Sequence, residues 1–140
     1  MNEIRKTFAD EKLLIPYICA GDPNLATTKK LIFALDNGGA DIIELGIPFS
    51  DPLADGPVIQ SAGQRALNQG TTLKSIISMV GNISSKINTP LVLMGYYNSV
   101  LKYGREKFIR DIKKAGISGV IIPDLPYEED IVLYQKLKQN

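Results

Sequence analysis

The sequence predicts an α/β protein built on a parallel sheet with helical crossovers, and three observations predict it. Four short segments rich in Ile, Val and Leu stand at Leu13 to Cys19, Asp41 to Gly46, Pro90 to Tyr96 and Gly119 to Pro123. They are apolar on both faces, the pattern of parallel strands covered on both sides. Segments with helical periodicity lie between them. A helix-to-strand junction repeats at Asn37 to Ile43 and at Ala115 to Ile122, where glycine ends a helix and a β-branched strand follows within a few residues. That is a repeated β-α unit, which joins parallel strands through helices.

In chain order, Leu13 to Cys19 is the first expected strand, followed by the turn Gly21-Asp22-Pro23. Asn24 to Asn37 carries Leu25, Thr28, Leu31, Ile32 and Leu35 toward one side and stops at Gly38-Gly39, a helix-ending signal. Asp41 to Gly46 is the second strand, interrupted by Glu44. Pro57 suits the first position of a helix that runs to Gln69 and is closed by Gly70. Thr72 to Ile87 is the clearest helix, with Leu73, Ile76, Ile77, Val80, Ile83 and Ile87 on one face and Thr71 or Thr72 as N-cap. After the third strand, Gly104 to Ala115 presents Phe108, Ile109 and Ile112 before Gly116. After the fourth, Tyr127 to Gln139 opens with Glu128, Glu129 and Asp130 near the positive helix end and closes with Lys136 and Lys138 near the negative one.

At 140 residues with 44% hydrophobic content, the chain supports one domain with a real core. The formal net charge is +1 with no long run of either sign, so nothing points to nucleic acid or an anionic membrane surface, and a small-molecule ligand is expected. No stretch approaches ~18 consecutive apolar residues, and Met1 to Lys6 lacks the apolar core of a secretory signal, so a soluble protein that is not exported is expected. Cys19 is the only cysteine and histidine is absent, which excludes an internal disulfide, a zinc cluster and a histidine-based triad; no metal site is expected. Acid–base chemistry therefore falls to Glu, Asp, Tyr or Lys. Abundant Ile and an excess of Lys over Arg fit an AT-rich gene, so the plastid stroma and the bacterial cytoplasm are the two expected compartments.

The run Glu44 to Pro57 sets Glu44, Asp51 and Asp55 around a strand end and its following loop. A carboxylate in an apolar strand is costly to desolvate, so its pKa is expected to rise, which suits a general acid or base. The alternative is a structural Glu paired with a buried Lys or Arg. Polar and aromatic residues also cluster just past the other strand ends, at Asp22, at Tyr96-Tyr97-Asn98 and at Asp124. Active sites of both (β/α)₈ barrels and doubly wound sheets lie at that edge. Neither Gly-x-Gly-x-x-Gly nor a P-loop motif is present, which favours the barrel.

With these residues in view, the chain resembles the N-terminal half of the tryptophan synthase alpha chain family. Glu44 to Pro57 looks like the family signature. Leu14-Ile15-Pro16-Tyr17, Ala20-Gly21-Asp22-Pro23, Tyr96-Tyr97-Asn98 and Ile122-Pro123-Asp124-Leu125-Pro126 match in order and spacing. The resemblance implies a (β/α)₈ TIM barrel, of which residues 1–140 are the N-terminal half of a single domain and supply about the first four β-α units. Such a barrel takes ~250 residues, so the sequence is expected to belong to a longer protein whose later loops grip phosphate. It further implies retro-aldol cleavage of indole-3-glycerol phosphate to indole and glyceraldehyde 3-phosphate in tryptophan biosynthesis. The partner implied is a tryptophan synthase beta chain in an α2β2 heterotetramer; it carries pyridoxal phosphate, with no cofactor in this chain.

By resemblance Glu44 and Asp55 match the family's catalytic acids. Tyr17 and Tyr96 look like substrate-pocket lining, or else core aromatics at strand ends. Pro48 and Asp51 belong to the loop that meets the beta chain, with capping of the Ser50-Asp51-Pro52 turn as the alternative for Asp51. Asp124 is expected at an interface or bracing a loop, Asn98 is expected to fix a loop, and Cys19 is expected to be a small buried hydrophobe. With both acids but no phosphate grip, the 140 residues alone are expected to be inactive. The rival reading is a non-catalytic half-barrel that binds a beta-type partner.

Overall fold

Strands apolar on both faces must satisfy their backbones in a shared ladder, and the strands of this chain do so side by side. In the computed structural model, which describes residues 4, 7, 8 and 12–139, β1 (Tyr17–Cys19), β2 (Ile43–Gly46), β3 (Leu91–Met94) and β4 (Gly119–Ile121) form one parallel sheet in the order β1-β2-β3-β4. Each strand is the next one's neighbour, with no reversal of order. A doubly wound sheet would reverse at a switch point, whereas a barrel wall runs in sequence, so the topology agrees with the barrel expectation. The first strand is shorter than expected. The carbonyls of Leu14 and Pro16 still accept the amides of Asp41 and Glu44 at 2.9 Å, but Pro16 has no N–H to return.

Register settles which side chains share a face. Tyr17 stands opposite Glu44, Glu44 opposite Val92, and Val92 opposite Gly119. Ile43 and Leu45 alternate to the other face beside Leu91 and Leu93, and all four are at most 2% exposed. The helices cover that second face: α1 (Leu25–Asn37), α2 (Pro57–Asn68), α3 (Leu73–Gly81), α4 (Tyr97–Tyr103), α5 (Arg105–Ala115) and α6 (Ile131–Gln139). Ile32, Ile76, Val80 and Phe108 pack into the same core with no exposed surface.

Local chemistry sets the helix ends. The Asn24 side chain accepts the Thr27 amide at 2.9 Å at the start of α1, and Pro57 occupies the first turn of α2. Thr72 and Ser75 exchange side-chain and backbone bonds in a capping box ahead of α3. Gly116 closes α5 in the left-handed region at φ 77°.

The structure departs from expectation in three helical segments. α3 ends at Gly81, and Ser84–Lys86 is a separate 3₁₀ turn. The Asp36 carboxylate accepts the Asn88 and Thr89 amides at 3.0 and 2.9 Å, drawing the chain out of the helix, while Ile83 still reaches the core at 0% exposure. The last expected helix divides into a 3₁₀ turn, Tyr127–Glu129, and α6, because Asp130 acts as the cap and accepts the Leu133 amide at 3.0 Å. α4 is additional: Asp124 accepts the Tyr97 amide at 2.8 Å, which starts a helix too short to show a period.

Candidate active site

Glu44 stands within β2, on the sheet face opposite the helix-covered core and half-buried. Desolvation raises its carboxyl pKa above the ordinary 4.5. Among the described residues the ion pairs join Asp22 to Arg65, Asp130 to Arg105, Asp111 to Arg110 and Glu106 to Lys136. None involves Glu44, so the alternative of a structural ion pair finds no support there.

Asp55 comes from the loop between β2 and α2, and several bonds hold that loop to β3. The Ile47 amide donates to the Met94 carbonyl at 2.7 Å. The Ala54 amide donates to the Tyr96 hydroxyl at 2.9 Å, and Phe49 stacks on the Tyr96 ring with centroids 5.1 Å apart. The Gln60 side chain donates to the Asp55 carbonyl at 2.8 Å. The half-buried Asp55 thereby lines a shallow cleft with Tyr17, Cys19, Pro48 and Phe49.

Tyr17 and Cys19 bring the β1 wall to that cleft. Burial, then Cys19, Asp55 and Glu44 in turn, push the Tyr17 phenol above its ordinary pKa, so Tyr17 stands within electrostatic reach of both acids. Burial, followed by Asp22 and Asp55, pushes the Cys19 thiol up to about 11. A thiol so strongly protonated is a poor nucleophile.

The geometry therefore places Asp55 and Tyr17 on one cleft, with Glu44 beside Tyr17 in the sheet register. Tyr96 is 3% exposed and holds the Asp55 loop through its hydroxyl, a bracing position among the core aromatics. Pro48 is buried and lines the cleft. Asp51 is exposed and its carboxylate accepts the Ser50 hydroxyl at 2.7 Å. Nearby Leu53 is 94% exposed. Asn98 is exposed on α4.

Two polar features escaped the sequence reading. Arg65 of α2 grips Asp22 with two bonds of 2.8 Å. Asp130, 6% exposed, accepts from the Tyr97 hydroxyl, from Arg105 at 2.8 Å and from the Leu133 amide. Only the run of acids before α6 hinted at the second. Among the described residues no three His, Cys, Asp or Glu side chains gather as a metal site, and no helix is long and apolar enough to cross a membrane.

Comparison with known proteins decides the family. The family described as Tryptophan synthase alpha chain matches residues 4–140. The chain belongs to the tryptophan synthase alpha chain family. The tryptophan synthase alpha chain of Petrotoga mobilis is 55% identical over 140 residues, covering 100% of this chain and 54% of that protein. The crystal structure of tryptophan synthase subunit alpha from Legionella pneumophila superposes with a TM-score of 0.92 at 41% identity, covering 99% of this chain and 55% of that one. Tryptophan synthase from M. tuberculosis, in its aminoacrylate-bound form, gives a TM-score of 0.92 at 33% identity, covering 99% of this chain and 58% of that one. The fold is thus the alpha chain's barrel, and the described sheet is roughly its first half. The chain spans about half the length of the relatives it matches. These relatives are bacterial, which argues against the plastid among the two compartments expected from composition.

Proposed function

We propose that residues 1–140 are the N-terminal half of a single (β/α)₈-barrel domain, and that the whole protein is the alpha subunit of tryptophan synthase, a lyase of tryptophan biosynthesis. The reaction is cleavage of indole-3-glycerol phosphate to indole and glyceraldehyde 3-phosphate. The observation that carries this reading is a desolvated Glu44 without an ion-pair partner among the described residues, facing the same Tyr17 as Asp55 in a chain of this family.

Cleavage requires one proton to arrive and one to leave. Protonation of the indole ring at C3 makes the ring cationic. The glycerol O–H then gives up its proton, its bonding pair forms the aldehyde C=O, and the C–C pair returns to the ring and neutralises it. A carboxyl whose pKa is raised toward neutrality can deliver and accept such protons, which is the role proposed for Glu44. Asp55 accepts the indole N–H and stabilises the ring cation. Tyr17 lines the substrate's place, and Tyr96 holds the wall that carries Asp55. No external co-reactant enters the balance, so this chain needs no cofactor.

The partner is a beta chain carrying pyridoxal phosphate, in an α2β2 assembly. The exposed Asp51 and Leu53, in the loop that begins at Pro48, offer that partner a charge and an apolar anchor. A bacterial cytoplasm is the matching compartment. The test is release of indole from indole-3-glycerol phosphate by the complete-length chain with its partner, and by its Glu44→Gln variant. The expected outcome is turnover that falls roughly 10²–10⁴-fold in a variant that still folds, as its cooperative thermal melt shows. Absence of turnover by the complete chain overturns the reading.

A further inference from the structure

The cleft floor holds a hydroxyl that the fold does not use. Tyr17 is in register with Glu44, and its ring leans along the sheet across Gly46, the next residue of β2 on the same face. A Cβ at Gly46 would fall 2.0 Å from the Tyr17 Oη and 2.5 Å from its Cζ. Gly46 is thus the space into which the phenol fits, and the hydroxyl lies beyond Glu44 toward the C-terminal ends of the strands, where the cleft opens. Asp55 lines the same cleft. Among the described residues no group hydrogen-bonds to this hydroxyl, and no buried side-chain polar atom lacks a partner, so the hydroxyl reaches the open cleft.

We propose that the Tyr17 hydroxyl is a substrate contact that donates a hydrogen bond to a glycerol oxygen beside the carbon–carbon bond that breaks. The inference rests on the function proposed above. The chemistry of the ligand selects the atom. An indole ring has an N–H donor, which Asp55 takes, and no acceptor oxygen; the phosphate belongs to loops beyond these β-α units. The chain oxygens remain as the acceptors near Glu44. Burial keeps the phenol protonated, so it acts as a donor and not as a base.

The test uses the complete-length chain with its partner, comparing wild type with Tyr17→Phe. Two ligands are measured: indole-3-glycerol phosphate, and an analogue with the same ring, three-carbon chain and phosphate but no chain hydroxyls. A neutral hydrogen bond of ~1 kcal/mol corresponds to a roughly fivefold loss in kcat/KM for the substrate. The analogue's dissociation constant and the thermal melt should not change. Equal weakening of both ligands would mean that only the ring's packing was disturbed, and no weakening of either would mean that the hydroxyl faces solvent; each result overturns the proposal. Failure of the wild-type chain to release indole would instead overturn the function on which it rests.

Discussion

The Tyr96 hydroxyl accepts the Ala54 amide at 2.9 Å across 42 residues of sequence, and this bond anchors the residue next to Asp55. The bond, with the Phe49 ring stacked on Tyr96, makes the acid-bearing loop an extension of β3. Preorganisation of this kind counts in catalysis because small displacements of a reacting group are costly.

Tyr96→Phe should therefore lower activity more than stability. The stability loss expected from one buried hydrogen bond is ~0.5–1.5 kcal/mol. In the complete chain we expect kcat for indole release to fall while KM changes little, with urea melts reporting the stability. Loss confined to KM would show that Tyr96 binds substrate and does not brace the loop.

Glu44 makes a prediction about pH. Its folded pKa is raised above 4.5 by desolvation, so its favourable contribution is complete below that value and is lost as pH rises through the folded pKa. Glu44→Gln removes this titration. Thermal melts between about pH 4 and pH 8 should show the variant gaining on wild type as pH rises. Parallel curves for the two proteins would contradict the raised pKa.

Asp130 titrates with the opposite sign. The Tyr97 hydroxyl, then Arg105 and the Leu133 amide, hold its carboxyl down at about 2, against an ordinary 3.8. Its contribution is present above 3.8 and is lost as pH falls toward about 2. Asp130→Ala leaves the Tyr97 hydroxyl and the α6 amide without their acceptor. We expect a cost of ~1–3 kcal/mol in urea melts at pH 7 that shrinks in acid. A cost equal at both pH values would exclude the charge as its source.

Gly21 has φ +91°, and a Cβ there would fall 2.1 Å from the Thr71 Oγ1. Its amide also donates to the Thr28 hydroxyl at 2.9 Å, so the turn cannot relax freely. Gly21→Ala should cost ~1–3 kcal/mol through the left-handed backbone and the overlap together. Adding Thr71→Ala should recover part of that loss, since it clears the overlap but not the dihedral angle. Recovery of none or all of it, read by calorimetry, would assign the whole cost to one cause.

Much of the site was legible from local pattern. Glu44 stood out because a carboxylate in an apolar strand conflicts with its surroundings, and the structure finds it desolvated and without a described ion-pair partner. Tyr17, expected from the family resemblance to line the pocket, sits on the cleft, whereas Pro48, expected in the loop that meets the beta chain, is buried against it. Tyr96 was less legible: sequence left pocket lining and core aromatic both open, and its bond to the Ala54 amide joins residues 42 positions apart. The short helix α4 was invisible because its start depends on Asp124 accepting the Tyr97 amide, 27 residues away.

By itself the sequence determined the strands, most helix ends and the candidate acids, since periodicity, capping and glycine stops act within a few residues of chain. Only the tertiary structure decided how the acids are held. The bonds from Tyr97 to Asp130, Ala54 to Tyr96 and Arg65 to Asp22 span 33, 42 and 43 residues, and the seat of Tyr17 over Gly46 depends on the β1–β2 register. Such pairings are set by which strands become neighbours and how they slide against one another. That information resides in the packed sheet, because no short stretch of sequence contains both partners.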